Sequence, residues 1–372
     1  MTALALNYHS VFSESSQALD LKLGRELSPP PKRSGSQAST PFNDSKDSMI
    51  SLQSSKPRFP LDGLPPRPVP CPRIGSPSSA FTKRICYYIH EYILLPFSYW
   101  YIKHCNVSTA AGPGYHPLPF GLLLKRDGGV HEQEGLAMNL ARAMGVPAPR
   151  FISFGSLGAH TICPSILMTS VPGYPLDWFD PGEVDMDVVA ADLTHILARM
   201  RSYASPHGAA VCGVAGREIR GPMVPASPLE PFADEDAFKA RLRSFVTNAR
   251  MEVLTDGVKP DKMEGDLASL RTHAETAETC LFALPPHAIV FTHGDLNMRN
   301  IMIGPDGHVC GIIDWDSAAW LPEYWEFSIM AILSTLPWGK FMDKKVSGGV
   351  YEQELKGHQA LFPFVGNSFS FY

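Results

Sequence analysis

The stretch AIVFTHGDLNMRNIMIGPDGHVCGIIDWD, residues 288–316, constrains the fold of this chain more than any other part of it. Apolar segments at 288–292 and 309–313 each end in polar residues, and a third apolar segment lies between them. The GPDG sequence at 304–307 suits a type I turn, with proline second and glycine fourth. We therefore predict a strand, a polar loop and then an antiparallel hairpin.

The predicted hairpin brings polar side chains together. A register that closes at the GPDG turn places Asn300 opposite Gly311. It also directs Asp314 back toward the loop that carries Asp295. We therefore expect three oxygen-bearing side chains to converge at one end of the hairpin.

These residue types suit phosphoryl transfer. Magnesium prefers oxygen ligands and commonly takes one or two from the protein, so Asn300 and Asp314 are the predicted Mg²⁺ ligands. Asp295 is then free to orient a substrate hydroxyl and accept its proton. We predict that His293 supports the loop from the core, and that Asp316 faces the substrate or supports the metal site.

The HGDL sequence at 293–296, followed by Asn300 and the IDW sequence at 313–315, resembles the catalytic and metal-binding segments of aminoglycoside phosphotransferases. Protein kinases use a related pattern, H-R-D-L-x-x-x-N and then D-F-G, but here glycine replaces the arginine and tryptophan the phenylalanine. The WLPEYWE sequence at 320–326 further resembles fungal proteins of this superfamily. One departure is Asn297, where many relatives have histidine.

The resemblance extends over about residues 115–340 and implies an α+β, bilobal, protein-kinase-like fold. We expect a small N-terminal lobe with a β-sheet and one main helix at 81–172, which binds the nucleotide. A larger, mostly helical C-terminal lobe is expected at 173–372. Residues 1–80 are rich in serine and proline and predict a disordered tail.

The resemblance also implies nucleotide-binding residues in the first half of the chain. Lys125 resembles the lysine that contacts the nucleotide phosphates, and Glu134 resembles its ion-pair partner, with Glu132 as the competing assignment. The segment from Met168 through Thr169 and Ser170 to Val171 resembles the connector whose backbone groups bind adenine. The AGPG sequence at 111–114 is a weak candidate for the loop that covers the phosphates.

Hydrophobic periodicity predicts several further elements. They are a strand at 117–125, a helix at 131–144, a strand at 165–168, and helices at 184–203 and 237–253. The apolar stretch at 85–102 predicts a buried or interface-facing helix followed by a strand. Pro96 and charged residues interrupt this stretch, so we expect no stable membrane span, and membrane-surface contact is the weaker alternative.

Composition narrows the cellular context. The seven cysteines are widely spaced without a C-x-x-C pair, and no apolar leader follows basic residues at the N-terminus, so we expect a cytoplasmic protein. The net charge of −5 and a pI of about 6.2 disfavour a nucleic-acid partner.

We therefore expect an ATP-dependent kinase that uses Mg²⁺ to phosphorylate a hydroxyl or amine of a small metabolite or antibiotic-like acceptor. The alternative is a non-catalytic, pseudokinase-type binding protein that keeps the fold. A protein kinase is disfavoured, because no A-P-E-like motif follows Asp314.

Overall fold

The structure of this protein is a computed structural model. It describes residues 69–105, 107, 112, 114–158, 161–221, 224, 228–255, 260–333 and 336–365. Most of the predicted tail thus lies outside the described residues. Its last part does not, because the amide of Val69 donates to the carbonyl of Ser202 at 2.7 Å and Ala204 donates back to Val69 at 2.9 Å. The predicted tail boundary near residue 80 therefore falls too late in the chain.

A four-stranded antiparallel sheet organises the N-terminal lobe. Its strands, β1 (Tyr115–Leu118), β2 (Leu122–Arg126), β3 (Phe151–Gly155) and β4 (Ser165–Thr169), lie in the order β1-β2-β4-β3. The segment predicted as one strand at 117–125 is instead a hairpin. Phe120 and Gly121 take φ angles of 62° and 67°, which turn the chain before β2 begins.

A long helix precedes the sheet. It consists of α1 (Ala80–Ile89), a π-helical turn (His90–Leu94) and α2 (Leu95–Cys105). α1 packs against β3 and α2 against β1, so the helix runs from one edge strand to the other. The strand predicted after this helix is absent from the described residues, since the π-helical turn accommodates the missing amide of Pro96.

Helix α3 (Glu132–Ala143) confirms the helix predicted at 131–144. Leu136, Leu140 and Met144 form its buried stripe, as their four-residue spacing indicated. Gly145 ends the helix with φ 79°, a backbone conformation that glycine adopts without steric cost. The helix therefore presents its acidic first turn to the sheet at a fixed position.

The C-terminal lobe is mostly helical. Its helices are α4 (Met186–Arg201), α5 (Glu235–Thr255), α6 (Pro260–Ala277), α7 (Trp325–Leu333), α8 (Leu336–Phe341) and α9 (Glu352–Val365). Short strands, β5 (Tyr174–Pro175), β6 (Cys212–Gly213), β7 (Ile289–Thr292), β8 (Ile301–Ile303), β9 (Val309–Ile312) and β10 (Ala319–Pro322), form two sheets, β6-β10-β7 and β5-β8-β9. This bilobal α+β architecture is the predicted fold class. No helix within the described ranges is both long and apolar enough to cross a bilayer.

A buried histidine joins three parts of the C-terminal lobe. His287, which precedes β7, lies 2.8 Å from Glu235 of α5 through Nδ1 and 2.9 Å from Glu354 of α9 through Nε2. Lys239 also contacts Glu235, at 3.0 Å, and the Tyr324 ring packs against the imidazole. Burial lowers the pKa of His287, but the hydrogen bonds to both carboxylates outweigh burial and leave that pKa above its ordinary value.

We predict that replacing His287 with Gln lowers the free energy of unfolding by about 3 kcal/mol, because the amide of glutamine is uncharged and cannot replace both charge-assisted hydrogen bonds of the imidazole to the buried Glu235 and Glu354. Since the folded pKa is raised, the stabilisation is complete below the unfolded pKa and is lost as pH rises through the folded pKa. Urea unfolding across neutral and alkaline pH should therefore show a flatter alkaline decline for the variant. The exposed His308, 3.0 Å from Asp192, provides a matched His→Gln control with little expected effect.

Candidate active site

The hairpin of β8 and β9 forms one wall of the candidate site. The turn closes as predicted, with the amide of Gly307 donating to Gly304 at 3.1 Å. The register does not follow the prediction, because Gly307 takes φ 83° and a bulge follows at Cys310 of β9. Asn300 pairs with Ile313 instead of Gly311, the Ile313 amide donating to the Asn300 carbonyl at 2.9 Å. The shift brings Asn300 next to the residue that precedes Asp314.

The carboxylate of Asp295 is 4% exposed and surrounded by donors. The side-chain amide nitrogen of Asn300 donates to Oδ2 of Asp295 at 3.0 Å and to the backbone carbonyl of Asp295 at 2.8 Å. Asn297 donates to Oδ1, and Arg299 donates to Oδ2 at 3.1 Å. These contacts fix the orientation of the carboxylate, and they leave the Asn300 side-chain oxygen for another partner.

Lys125 connects the two lobes. Its Nζ lies 2.9 Å from Oε1 of Glu134 and 2.7 Å from Oδ1 of Asp314. Burial lowers the pKa of Lys125, but the two carboxylates outweigh burial and hold that pKa well above its ordinary value. Glu132, the competing partner, instead binds Lys83 at 2.7 Å. The structure thus pairs Lys125 with Glu134.

Buried carboxylates outnumber the cations around Lys125. Burial raises the pKa of Glu134 to about 7 despite Lys125, and raises the pKa of Asp316 to about 6 with Asp314 adding to the effect. Burial also acts on Asp314, but Lys125 outweighs it and lowers the Asp314 pKa. Negative charge near Asp314 therefore exceeds the positive charge of Lys125, and this side of the site attracts a further cation.

The donor set limits which cation would suit the site. Among the described residues, no group of three or more histidine, cysteine, aspartate or glutamate side chains is arranged to hold a metal ion. Asn300 and Asp314 offer two oxygen atoms, and a hard cation can complete such a set with phosphate and water. This donor chemistry fits magnesium bound together with a nucleotide.

The model of the phosphotransferase enzyme family known as APH matches residues 127–357, which is more than half of the chain. The chain belongs to this family. The resemblance to aminoglycoside phosphotransferases is therefore confirmed at the level of the family, and the narrower likeness to its fungal members stays a prediction.

Solved structures of several phosphotransferases are similar to this family member. A thermostable mutant of aminoglycoside phosphotransferase APH(4)-Ia is 12% identical over 72% of this chain and 89% of that chain, with a TM-score of 0.49. Macrolide 2'-phosphotransferase MphH from Brachybacterium faecium is 19% identical over 65% of this chain and 74% of that chain, with a TM-score of 0.40. No curated protein sequence matches the chain.

The predicted adenine-binding residues of this phosphotransferase lie at the end of β4 and in the connector that follows it. Met168 and Thr169 lie within β4 and pair with β2, and the Ser170 amide donates to Gly121 at 2.8 Å. Val171 makes no backbone hydrogen bond to another described residue, and its side chain packs against Gly311 of the hairpin. The backbone amide and carbonyl of Val171 are therefore available to a ligand.

Sequence reasoning missed Tyr115 of this phosphotransferase. Tyr115 pairs with Lys125 across β1 and β2, and its ring centroid lies 5.9 Å from the Lys125 Nζ. Burial, with Asp314 adding to it, raises the pKa of the phenol. Ala111 and Pro113 of the weak phosphate-loop candidate lie outside the described residues. Its last residue, Gly114, lies at the Lys125 end of the sheet, where it accepts from the Arg126 amide at 2.8 Å.

The sequence alone also did not identify Glu326 of this phosphotransferase as a support of the loop that carries Asp295. Its buried carboxylate accepts from the backbone amides of His293 at 2.7 Å and Gly294 at 3.1 Å. His293 contacts the Ile313 carbonyl through Nε2 at 3.0 Å, so it supports the loop from the core as predicted. The WLPEYWE sequence at 320–326, which contains Glu326, is the signal that could have identified it.

We predict that Glu326→Gln lowers the free energy of unfolding by about 2 kcal/mol, because the amide NH₂ of glutamine cannot accept from a backbone amide. The loop that carries Asp295 should loosen, so amide hydrogen exchange at residues 293–296 should accelerate. Glu352→Gln is the control, since Glu352 is exposed and contacts Lys344 at 3.4 Å. Unchanged exchange in the Glu326 variant would contradict the assigned support of the loop.

Proposed function

We propose that this phosphotransferase transfers the γ-phosphoryl group of ATP to a hydroxyl or amine of a small molecule. The observation that carries the proposal is the Lys125 ammonium held between Glu134 and Asp314, with family membership behind it. Phosphoryl transfer depends mainly on positioning and on charge stabilisation, and a lysine fixed by two carboxylates provides both.

The nucleotide and the metal ion are bound by different residues in this proposal. Lys125, oriented by Glu134, contacts the phosphates, and backbone groups of Met168, Thr169 and Val171 bind adenine. Asn300 and Asp314 would hold Mg²⁺, which supplies positive charge to the phosphate oxygens when it is bound.

Asp295 acts on the acceptor. The acceptor oxygen or nitrogen forms a bond to the γ-phosphorus, and the bond from that phosphorus to the bridging oxygen of ADP breaks. The proton of the acceptor passes to the Asp295 carboxylate, whose orientation is fixed by Asn300, Asn297 and Arg299. The products are the phosphorylated acceptor and ADP.

The alternative of a non-catalytic binding protein has no observation in its favour, and the contacts of Lys125 with Glu134 and Asp314 support the enzyme. We also propose a cytoplasmic location, since all seven cysteines are free thiols.

We predict that Mg²⁺ with ATP raises the melting temperature of the protein. A ligand present at about a hundredfold above its Kd stabilises the folded state by about 2.7 kcal/mol. The measurement is a thermal shift with millimolar Mg²⁺ and ATP, and the controls are ATP with a chelator and Mg²⁺ with adenosine. A melting temperature that does not change when Mg²⁺ and ATP are added would contradict nucleotide binding.

Two substitutions separate the base from the metal ligand. Asp295→Asn removes the proton acceptor, so transfer should fall roughly a thousandfold while the thermal shift with Mg²⁺ and ATP survives. Asp314→Asn should abolish both, because it weakens the metal site and the contact with Lys125. Asparagine tolerates the left-handed backbone of Asp314, φ 63°, so the fold should persist.

Transfer is measured by the mass gain of one phosphoryl group in a metabolite mixture incubated with protein, Mg²⁺ and ATP. Wild-type turnover in the Asp295 variant would show that the proton leaves by another route. Equal nucleotide binding by both variants would show that Asp314 is not a metal ligand.

A further inference from the structure

The long helix of the N-terminal lobe exposes an unusual set of side chains. Fifteen large apolar side chains are exposed among the described residues, and nine of them lie in α1, the π-helical turn and α2. We call these nine the aromatic face: Phe81, Ile85, Tyr88, Ile89, Tyr92, Ile93, Phe97, Tyr99 and Trp100. Scattered exposed apolar residues are normal, whereas a contiguous group marks an interaction site.

Rings of the aromatic face contact one another. Tyr88 stacks on Tyr92 with ring centroids 6.0 Å apart, and Phe97 stacks on Trp100 at 5.6 Å. The exposures of the nine side chains range from 40% to 74%. The face therefore contains one ring pair in α1 and the π-helical turn and a second ring pair in α2.

The opposite side of the same helix packs on the sheet through polar residues. The buried ring of His90 contacts Ser165 at 2.8 Å and Ser153 at 2.9 Å. The hydroxyl of Ser98 donates to the Pro117 carbonyl at 2.6 Å. A helix of a water-soluble protein normally buries its large apolar side chains, whereas the only buried residues of this helix are His90 and Ser98 and most of its large apolar side chains are exposed. Packing among the described residues thus does not account for the aromatic face.

Charge identifies the kind of surface that the aromatic face would meet. The only acidic residue between 80 and 105 is Glu91, and it is paired with Arg126. The exposed cations are Arg84 near the start of the helix and Lys103 near its end. The face is thus apolar and aromatic, with a cation at each end and no exposed acid.

We propose that the aromatic face docks on an anionic lipid bilayer, with the helix lying in the plane of the headgroups. Tyrosine and tryptophan favour this interface because their rings are apolar and their hydroxyl or indole N–H groups reach water. Basic residues beside such a face are attracted to anionic headgroups. The helix formed by α1, the π-helical turn and α2 is about 39 Å long, so it can lie along the bilayer surface while its opposite side remains packed on the sheet.

The same charges disfavour a second copy of the chain as the occupant. An antiparallel pair of these helices places Arg84 near Lys103 of the other copy, and a parallel pair places each cation near its equivalent. No exposed acid on the helix offsets either contact. Anionic lipid is complementary to both cations at once.

Co-sedimentation of the full chain with vesicles tests the proposal without nucleotide or acceptor, so the outcome is independent of the proposed function. We expect sedimentation with vesicles of phosphatidylcholine mixed with phosphatidylserine, weakened by added salt, and little with phosphatidylcholine alone. Replacing Phe81, Tyr92 and Trp100 together with serine should weaken binding at least about tenfold. Serine has a helix propensity close to that of the aromatic residues, so the helix should persist.

Matched controls isolate the face. Replacing Tyr174, Trp178 and Phe362, which are 40% to 46% exposed in the other lobe, removes the same three residue types and should leave vesicle binding unchanged. Changing Arg84 and Lys103 to glutamate should weaken binding, whereas the same change at the exposed Lys340 and Lys356 should not.

Three results would overturn the proposal. The first is no sedimentation with phosphatidylserine vesicles. The second is binding that is equal in the Phe81, Tyr92 and Trp100 variant and in its control. The third is light scattering that shows a dimer dissociated by the same three substitutions, which would make the aromatic face an interface between copies.

Discussion

The buried ammonium of Lys125 joins segments that are far apart in the sequence. Glu134 lies nine residues away and Asp314 lies 189 residues away, yet both contact the same nitrogen atom. Removing one partner of a buried ion pair leaves a charge without compensation, which costs several kcal/mol. Strand β2, helix α3 and the end of the hairpin therefore hold a fixed arrangement relative to Lys125. The position of Asp314 relative to β2 and α3 depends on this contact.

The carboxylates near Lys125 also make the charge of the site depend on pH. Glu134 and Asp316 have raised pKa values because they are buried beside other carboxylates. A cation that arrives near Asp314 favours the ionised forms of both, so its binding is linked to proton release. In the proposed function, the affinity of the site for Mg²⁺ with ATP would therefore grow as these carboxylates lose their protons.

The sequence was sufficient for those features that local patterns encode. Periodicity gave helix α3 and its buried stripe, and the spacing of Asp295, Asn300 and Asp314 placed them in one site. The predicted register of the hairpin was wrong because Gly307 adds a left-handed residue and a bulge adds a second unpaired residue, and a simple turn count includes neither. The contact of Lys125 with Asp314 and the support of the loop by Glu326 arise from tertiary packing, which one sequence does not reveal.

Gly294 has a consequence for how this phosphotransferase can be controlled. Its φ of 84° is strained for any other residue, and a Cβ there would lie 2.6 Å from the Ser317 carbonyl oxygen. The arginine that protein kinases carry at the equivalent position of H-R-D therefore does not fit this backbone. This loop therefore lacks the arginine through which a protein kinase can sense a phosphate on its activation loop.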